Sequence, residues 1–274
     1  MFSVTSALNL LKATSRTFYI PISLLPAGLQ EAVTSAYLCM RAIDQIEDHP
    51  TLENSVKAAL LRQISLNLQS GSQASTPEDF SQGLSLYAGE LEEVSLRIGE
   101  WALLAPDTIA PRIWDATAAM ADRMAYWAEC NWKIETEADL NSYTFSVAGA
   151  VGLLLCDLWA WHDGTETSRT EAIGFGRGLQ AVNILRNYSE DWDQRQVSFF
   201  PEGWQAADMQ RFARHNLELA DAYVTSLPKG PALLFCRIPL ALAHATLDVM
   251  SEGKEKLTRS DVMAIVSPLS KIAS

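Results

Sequence analysis

The chain has 274 residues, 48% of them apolar and 20% charged, with a formal net charge of −12. So acidic a balance, with a pI of about 4.8, excludes nucleic acid as a partner, because that binding depends on clustered Lys and Arg against phosphates. It leaves anionic small molecules open, since a divalent cation inverts the local charge.

Apolar residues recur at three and four rather than at two, and strand signals are weak, so the fold class is all-α. Helices are predicted over 3–14, 27–47, 52–69, 79–102, 107–133, 138–161, 165–191, 205–226 and 229–253, with a short one over 259–266. His49-Pro50 stops the second. A polar loop over 69–80 ends on Thr76-Pro77 as a helix start. Pro106 and Pro111 bracket a further boundary, His162-Asp163-Gly164 closes a helix, and Pro228 to Pro231 open the last long one. No Pro/Gly-rich linker divides the chain, so a single domain over 1–274 is expected, a multi-helix bundle. No dinucleotide fingerprint, Walker loop or nucleophile elbow appears.

Cys39, Cys130, Cys156 and Cys236 are far apart and form no C-x-x-C pair, the pattern of reduced thiols in a cytoplasmic protein. The N-terminus lacks a charged segment ahead of an apolar one, so no signal peptide is expected. The longest apolar stretches, 145–161 and 231–243, are interrupted by Gly, Asp157 or Arg237 and Pro239. They fall short of the ~18–20 residues of a membrane span and read as core helices.

Two polar rows carry the chemistry. In SAYLCMRAIDQIEDHP, Tyr37, Arg41, Asp44 and Asp48 are spaced 4, 3 and 4, which sets them on one helix face. Asp44 and Asp48 repel each other as like charges at i, i+4. A divalent metal would offset that, because hard cations take carboxylate oxygens; so, more simply, would a solvated helix end with Arg41 paired to Asp44. In GLQAVNILRNYSEDW, Gln180, Asn183, Asn187 and Asp191 are spaced 3, 4 and 4. Alone, such amides serve interhelix hydrogen bonds. Together, the two rows suit Mg²⁺ ions holding a polyphosphate across a cavity.

The sequence resembles the squalene/phytoene synthase family, the head-to-head trans-prenyl transferases. TSRTF (14–18), YLCMRAIDQIED (37–48), YTFSVAGAVGLLL (143–155) and LQAVNILRNYSEDW followed by FFPEGW (179–192 and 199–204) are similar to its motifs in order. FCRIPLALAHATL (235–247) looks more like the squalene synthase branch. The resemblance implies a single all-α bundle around a deep central cavity. It implies metal binding by Asp44, Asp48 and Asp191, with Asn183 and Asn187 in the same set. Gln180 and Asn183 correspond to amides that help hold metal and diphosphate. Ser15, Arg16, Phe18, Tyr37 and Arg41 fall in segments that contact diphosphate oxygens and substrate, with Arg186 and Arg195 adding charge. Tyr143, Val147 and Val151 correspond to the helix lining the prenyl channel, with Tyr143 counted among the catalytic residues.

Three Mg²⁺ ions and Arg side chains would stabilise a leaving diphosphate, and a dry pocket would protect the allylic cation. Farnesyl diphosphate is the expected substrate, with geranylgeranyl diphosphate as the longer option. The expected reaction is 1′-1 coupling through a cyclopropyl diphosphate to squalene or a dehydro relative. The resemblance admits NADPH as reductant, since squalene synthases bind it without a recognisable dinucleotide fold. A monomer or homodimer, with peripheral membrane contact for a greasy product, fits the same expectation.

Two departures stand out. The family usually has Asp where this chain has Asn187, a neutral side chain with one carbonyl oxygen. The family's Gly-Arg before its Phe-Pro stretch appears here as DQRQVSFFP. The first leaves room for a weaker metal site helped by Glu190, or for ionisation without coupling that ends in a prenyl alcohol; the second bears on a loop that in the family closes over the site. A non-catalytic scaffold is the alternative from another class. The small residues Ala148, Gly149, Ala150 and Gly152 suit either a passing prenyl chain or tight helix packing. Trp127, Trp132, Trp159 and Trp161 are expected in the core, as is His244. His49 is expected at a helix terminus, and Phe235, Cys236 and Pro239 in a core helix.

Overall fold

A computed structural model describes residues 4–74, 76–254 and 256–271. It is all-α, with no strand among the described residues. The backbone divides into two compact units, residues 1–132 and 133–274.

The first unit contains α1 (Val4–Thr14), α2 (Arg16–Ser23), α3 (Leu29–Glu47), α4 (Asn54–Gln69), α5 (Pro77–Phe80), α6 (Glu93–Leu96), α7 (Ile98–Ala102) and α8 (Ala110–Glu129), with 3₁₀ turns at Gly71–Gln73 and Leu84–Tyr87. The predicted first helix is followed by α2, a helix the periodicity did not announce. Ser15 makes the joint: its Oγ caps α2 by accepting from the Phe18 amide at 3.2 Å. At the centre is α3, whose Leu29, Ala32, Val33, Ala36, Cys39, Ile43 and Ile46 are buried at helical spacing. Two buried hydroxyls tie its neighbours to it. Ser35 donates to the Trp101 carbonyl and Ser95 to the Ala42 carbonyl, each at 2.7 Å.

The predicted helix over 79–102 is instead a set of short pieces, α5, a 3₁₀ turn, α6 and α7. Gly83 sits at φ +89°, where an L side chain is strained. Phe80, Leu84, Leu91, Val94, Ile98 and Trp101 are all buried. An unbroken helix would set these on one face too, so the spacing reads as helical; Gly83, in the left-handed region, breaks the run between the pieces. Trp127 and Trp132 are in the core as expected, each 4% exposed. His49 terminates a helix as expected, its Nδ1 accepting from the amides of Thr51 and Leu52.

The second unit begins with α9 (Glu137–Thr144), which runs through a π-helical segment (Phe145–Gly149) into α10 (Ala150–Asp163). α11 (Arg169–Arg195), α12 (Ala206–Ser226), α13 (Pro231–Ser251) and α14 (Arg259–Lys271) follow. Thr136 and Asp139 form a reciprocal cap on α9. Gly164, at φ +78°, ends α10. In the core of this unit Trp159 donates to Tyr223 Oη at 3.2 Å and lies 5.6 Å from the Phe235 ring. Cys236 and Pro239 are buried in α13. Trp161 is only half-buried. His244 departs from the core expectation: it is partly exposed and contacts Asp221 of α12 at 3.0 Å, because its position on α13 faces the rim of the neighbouring helix.

Continuous helix over Glu137–Asp163 and over Pro231–Ser251 is long and apolar enough to cross a membrane by length and composition, and half of each scanned window is buried. Counting apolar runs missed this, because the interrupting Gly, Asp157 and Arg237 break a run without breaking a helix.

Candidate active site

The first polar row lies in the first unit. α3 carries Tyr37, Arg41 and Asp44 on one face, and Asp48 caps its C-terminus, donating its amide to the Asp44 carbonyl at 2.9 Å. Arg41 pairs with Asp44, the two side chains being 30% and 33% exposed. The simple ion pair foreseen from the spacing is therefore present. It leaves Arg41 with a buried Nε that has no hydrogen-bond partner, a donor that an anionic oxygen would satisfy.

Tyr37 sits behind this pair. Its ring is 5.6 Å from Phe18, and burial pushes its phenol above the ordinary range. A hydrogen bond with Ser15 and the Arg41 charge pull the other way, while Asp44 adds to the rise. Tyr37 is thus a neutral phenol beside a half-exposed guanidinium. The structure brings Ser15, Phe18, Tyr37, Arg41, Asp44 and Asp48 to the contiguous elements α2 and α3. The side chain of Arg16 lies outside the described residues.

Sequence reasoning missed one member of this neighbourhood. Glu47 is 2% exposed and accepts from Trp132 Nε1 at 2.6 Å. Its signal was available: an acid on the side of α3 that carries Ile43 and Ile46.

The second row lies on α11. Gln180, Asn187 and Asp191 are half-buried and Asn183 is exposed. Arg186 donates Nε to Asn187 Oδ1 at 3.1 Å, so the single carbonyl oxygen of that amide is already engaged. Gln196, at φ 54°, ends the helix. Beyond it Phe199 stacks on Tyr143 at 4.7 Å and 18°, and Phe200 meets Tyr188 at 4.6 Å. Tyr143 is accordingly only 4% exposed. The side chains of Gln194 and Arg195 lie outside the described residues.

Val147 is in the π-helical segment and Val151 just beyond it, both half-buried. A π turn inside an α-helix is uncommon and frequent at functional sites. The small residues around them serve packing. A Cβ on Gly152 would lie 2.0 Å from the Ala172 carbonyl oxygen, and one on Gly176 would lie 2.2 Å from that of Ala148. The π segment and α10 thus touch α11 backbone to backbone. Arg177 locks the joint, donating Nη2 to the Asn141 carbonyl at 3.0 Å with its guanidinium 5.9 Å over the Phe145 ring. Burial lowers its pKa. It went unnoticed in the sequence although it stands three residues before Gln180.

The donors are carboxylate and amide oxygens with hard character. Among the described residues no three His, Cys, Asp or Glu side chains converge. Oxygen donors of this kind are the ligands Mg²⁺ takes, with several waters and substrate oxygens completing its shell. In the first row Asp44 and Asp48 would hold such an ion; in the second Asp191 and Asn183 would, the oxygen of Asn187 being taken by Arg186.

The all-α chain thus carries two helix-borne rows of oxygen donors, one beside a half-buried group of Tyr37, Ser15 and Arg41. The squalene/phytoene synthase family model matches residues 11–211, and the chain belongs to that family. The squalene synthase of Schizosaccharomyces pombe is 30% identical over 272 residues, covering 87% of this chain and 58% of that protein. That of Dictyostelium discoideum is 29% identical over 268 residues, covering 88% and 62%. The chain thus spans less than two thirds of these relatives' length. The fold resembles that of TcSQS in complex with E5700, with a TM-score of 0.78 at 22% identity over 98% of this chain and 89% of the other. It also resembles a dehydrosqualene synthase, with a TM-score of 0.61 at 17% identity over 98% and 95%.

Proposed function

We propose that this chain is a Mg²⁺-dependent prenyl transferase that couples two farnesyl diphosphates 1′-1, through a cyclopropyl diphosphate, to squalene or a dehydro relative. The observation that carries the reading is the Arg41–Asp44–Asp48 row, with its unsatisfied Arg41 Nε, in a member of this family.

The chain's own groups supply the following. Arg41 donates to the diphosphate of the ionising substrate, and its buried Nε gains the partner it lacks. Tyr37, kept neutral by burial, donates to diphosphate oxygen without adding charge. Asp44 and Asp48 in one row, and Asp191 with Asn183 in the other, would hold Mg²⁺. Bound Mg²⁺ neutralises the diphosphate and makes it a better leaving group. Val147 and Val151 give the prenyl chain an apolar wall that keeps water from the cation. Reduction to squalene consumes a hydride, for which NADPH is the donor; without it the product stays at the cyclopropyl or dehydro stage. The relatives named above are squalene synthases, which supports coupling and gives the hydrolytic alternative no support.

Asp44→Ala and Asp191→Ala test the reading. Each is expected to abolish turnover of farnesyl diphosphate. Wild-type rates in either variant would contradict the assignment of the rows.

A further inference from the structure

The π-helical segment Phe145–Gly149 joins α9 to α10, and α11 grips it at two points. The Ala150 amide reaches back to the Phe145 carbonyl, one residue further than an α-helix allows. Just upstream, three consecutive carbonyls each accept from a side chain. Leu140 takes Thr144 Oγ1 at 2.7 Å, Asn141 takes Arg177 Nη2 at 3.0 Å and Ser142 takes Ser146 Oγ at 2.7 Å. The two hydroxyls are local, on residues 0% and 3% exposed, and such back-bonding often bends a helix. Arg177 is the one of the three donors that comes from another helix.

The second hold lies further along the segment. A Cβ on Gly176 would lie 2.2 Å from the Ala148 carbonyl oxygen, and one on Gly149 would lie 3.5 Å from Arg177 Cγ. Gly176 and Arg177 therefore fasten the chain before the wide turn, at Asn141, and inside it, at Ala148 and Gly149. The distance between these holds sets the rotation of the helix across the turn. Were the turn to close to α geometry, one residue would leave the register, and Tyr143 would swing by about 100° relative to Val151.

Packing alone is a poor reason for an arginine here. The residue is half-buried, and its Nε is buried with no hydrogen-bond partner. A methionine would keep an apolar stem against Gly149 and a sulfur near the Phe145 ring without that cost. Nor does the backbone depend on the guanidinium for satisfaction, because the Asn141 carbonyl also accepts from the Phe145 amide. What the guanidinium adds is a fixed reach from α11 to Asn141.

The geometry points to Arg177 as a positioning residue for the prenyl wall: it holds the π turn open, so that Tyr143 before the turn and Val147 and Val151 within and beyond it keep one relative rotation. This rests on the proposed coupling reaction, in which that wall keeps water from the allylic cation. A misplacement caused by a residue remote from the chemistry can cost about 100-fold in rate.

The test incubates the full chain with farnesyl diphosphate, Mg²⁺ and NADPH, and measures C30 product and farnesol by gas chromatography with mass spectrometry. Arg177→Met is expected to fold, to lower kcat for C30 product by about 100-fold and to raise the farnesol share of total product. Half-saturating Mg²⁺ is expected to stay within about twofold of wild type. A packing role alone would reduce the amount of active enzyme and leave the farnesol share unchanged. Arg177→Lys, which keeps the charge and a donor but not the planar fork, is expected to fall between wild type and Arg177→Met in rate and in farnesol share. Where Arg177→Met does not fold, the same readings on Arg177→Lys decide. A folded variant with the wild-type rate and farnesol share overturns the positioning role. So does a raised half-saturating Mg²⁺, which would tie Arg177 to the metal row that starts three residues on, at Gln180. Wild-type protein that makes no C30 product overturns the coupling reading, and the positioning role with it.

Discussion

Replacing Gly152 by Ala sets two effects of opposite sign against each other. Alanine gains about 1 kcal/mol over glycine in a helix interior. Against this, its Cβ would lie 2.0 Å from the Ala172 carbonyl oxygen and 2.6 Å from the carbonyl carbon, where even a close C···O contact is about 3.3 Å. The obstacle is backbone on another helix, which cannot swing aside as a side chain would, so α10 and α11 must part by about 1 Å or more. Overpacking costs about 1–3 kcal/mol and occasionally more. Backbone against backbone belongs at the upper end, leaving a net loss of about 2 kcal/mol. In a chain of this size that lowers Tm by about 4–8 °C. Thermal melts followed by far-ultraviolet circular dichroism measure it. Gly89→Ala is the control, because a Cβ there meets nothing within 4 Å; it should move Tm by less than about 2 °C. A Gly152→Ala variant that melts at or above the wild-type temperature would refute the backbone contact between α10 and α11.

Asn187→Asp restores a carboxylate whose second oxygen stays available when Arg186 holds the first, so half-saturating Mg²⁺ should fall; an unchanged value would mean that position 187 takes no part in metal binding. Burial pushes the Cys39 thiol up to about 12 and raises the Cys236 thiol as well. Both stay protonated in the fold at pH values where the unfolded chain has lost the proton, so their contribution is complete below the ordinary thiol pKa and declines as pH rises towards 12. Chemical denaturation from pH 8 to 11 should show falling stability, with a shallower slope in Cys39→Ser; a slope unaltered by that change would count against the buried thiol. Cys39, Cys156 and Cys236 are buried and Cys130 is not, so Ellman's reagent should titrate one thiol rapidly in native protein and all four after denaturation.

Much of α3 was legible because its Ile43, Ile46 and Cys39 recur at helical spacing while Tyr37, Arg41, Asp44 and Asp48 recur on another face. Periodicity is a local signal, and it located both rows. It failed between 79 and 102, where Phe80, Leu84, Val94, Ile98 and Trp101 share one helical face in the sequence while Gly83, at φ +89°, breaks the helix. The π-helical turn at Phe145–Gly149 has no composition of its own; it follows from packing against Gly176 and from Arg177 holding the Asn141 carbonyl. Glu47 was passed over among its acidic neighbours although it shares a side of α3 with Ile43 and Ile46; its partner, an indole 85 residues away, has no local signal.

The central claim is that this chain couples prenyl diphosphates head-to-head. The most direct measurement incubates purified protein with farnesyl diphosphate and Mg²⁺, with and without NADPH, followed by extraction and gas chromatography with mass spectrometry. A C30 cyclopropyl diphosphate or dehydro hydrocarbon without NADPH, and squalene with it, is the expected result. Farnesol alone, absent from a boiled control, or no product at all would contradict the account.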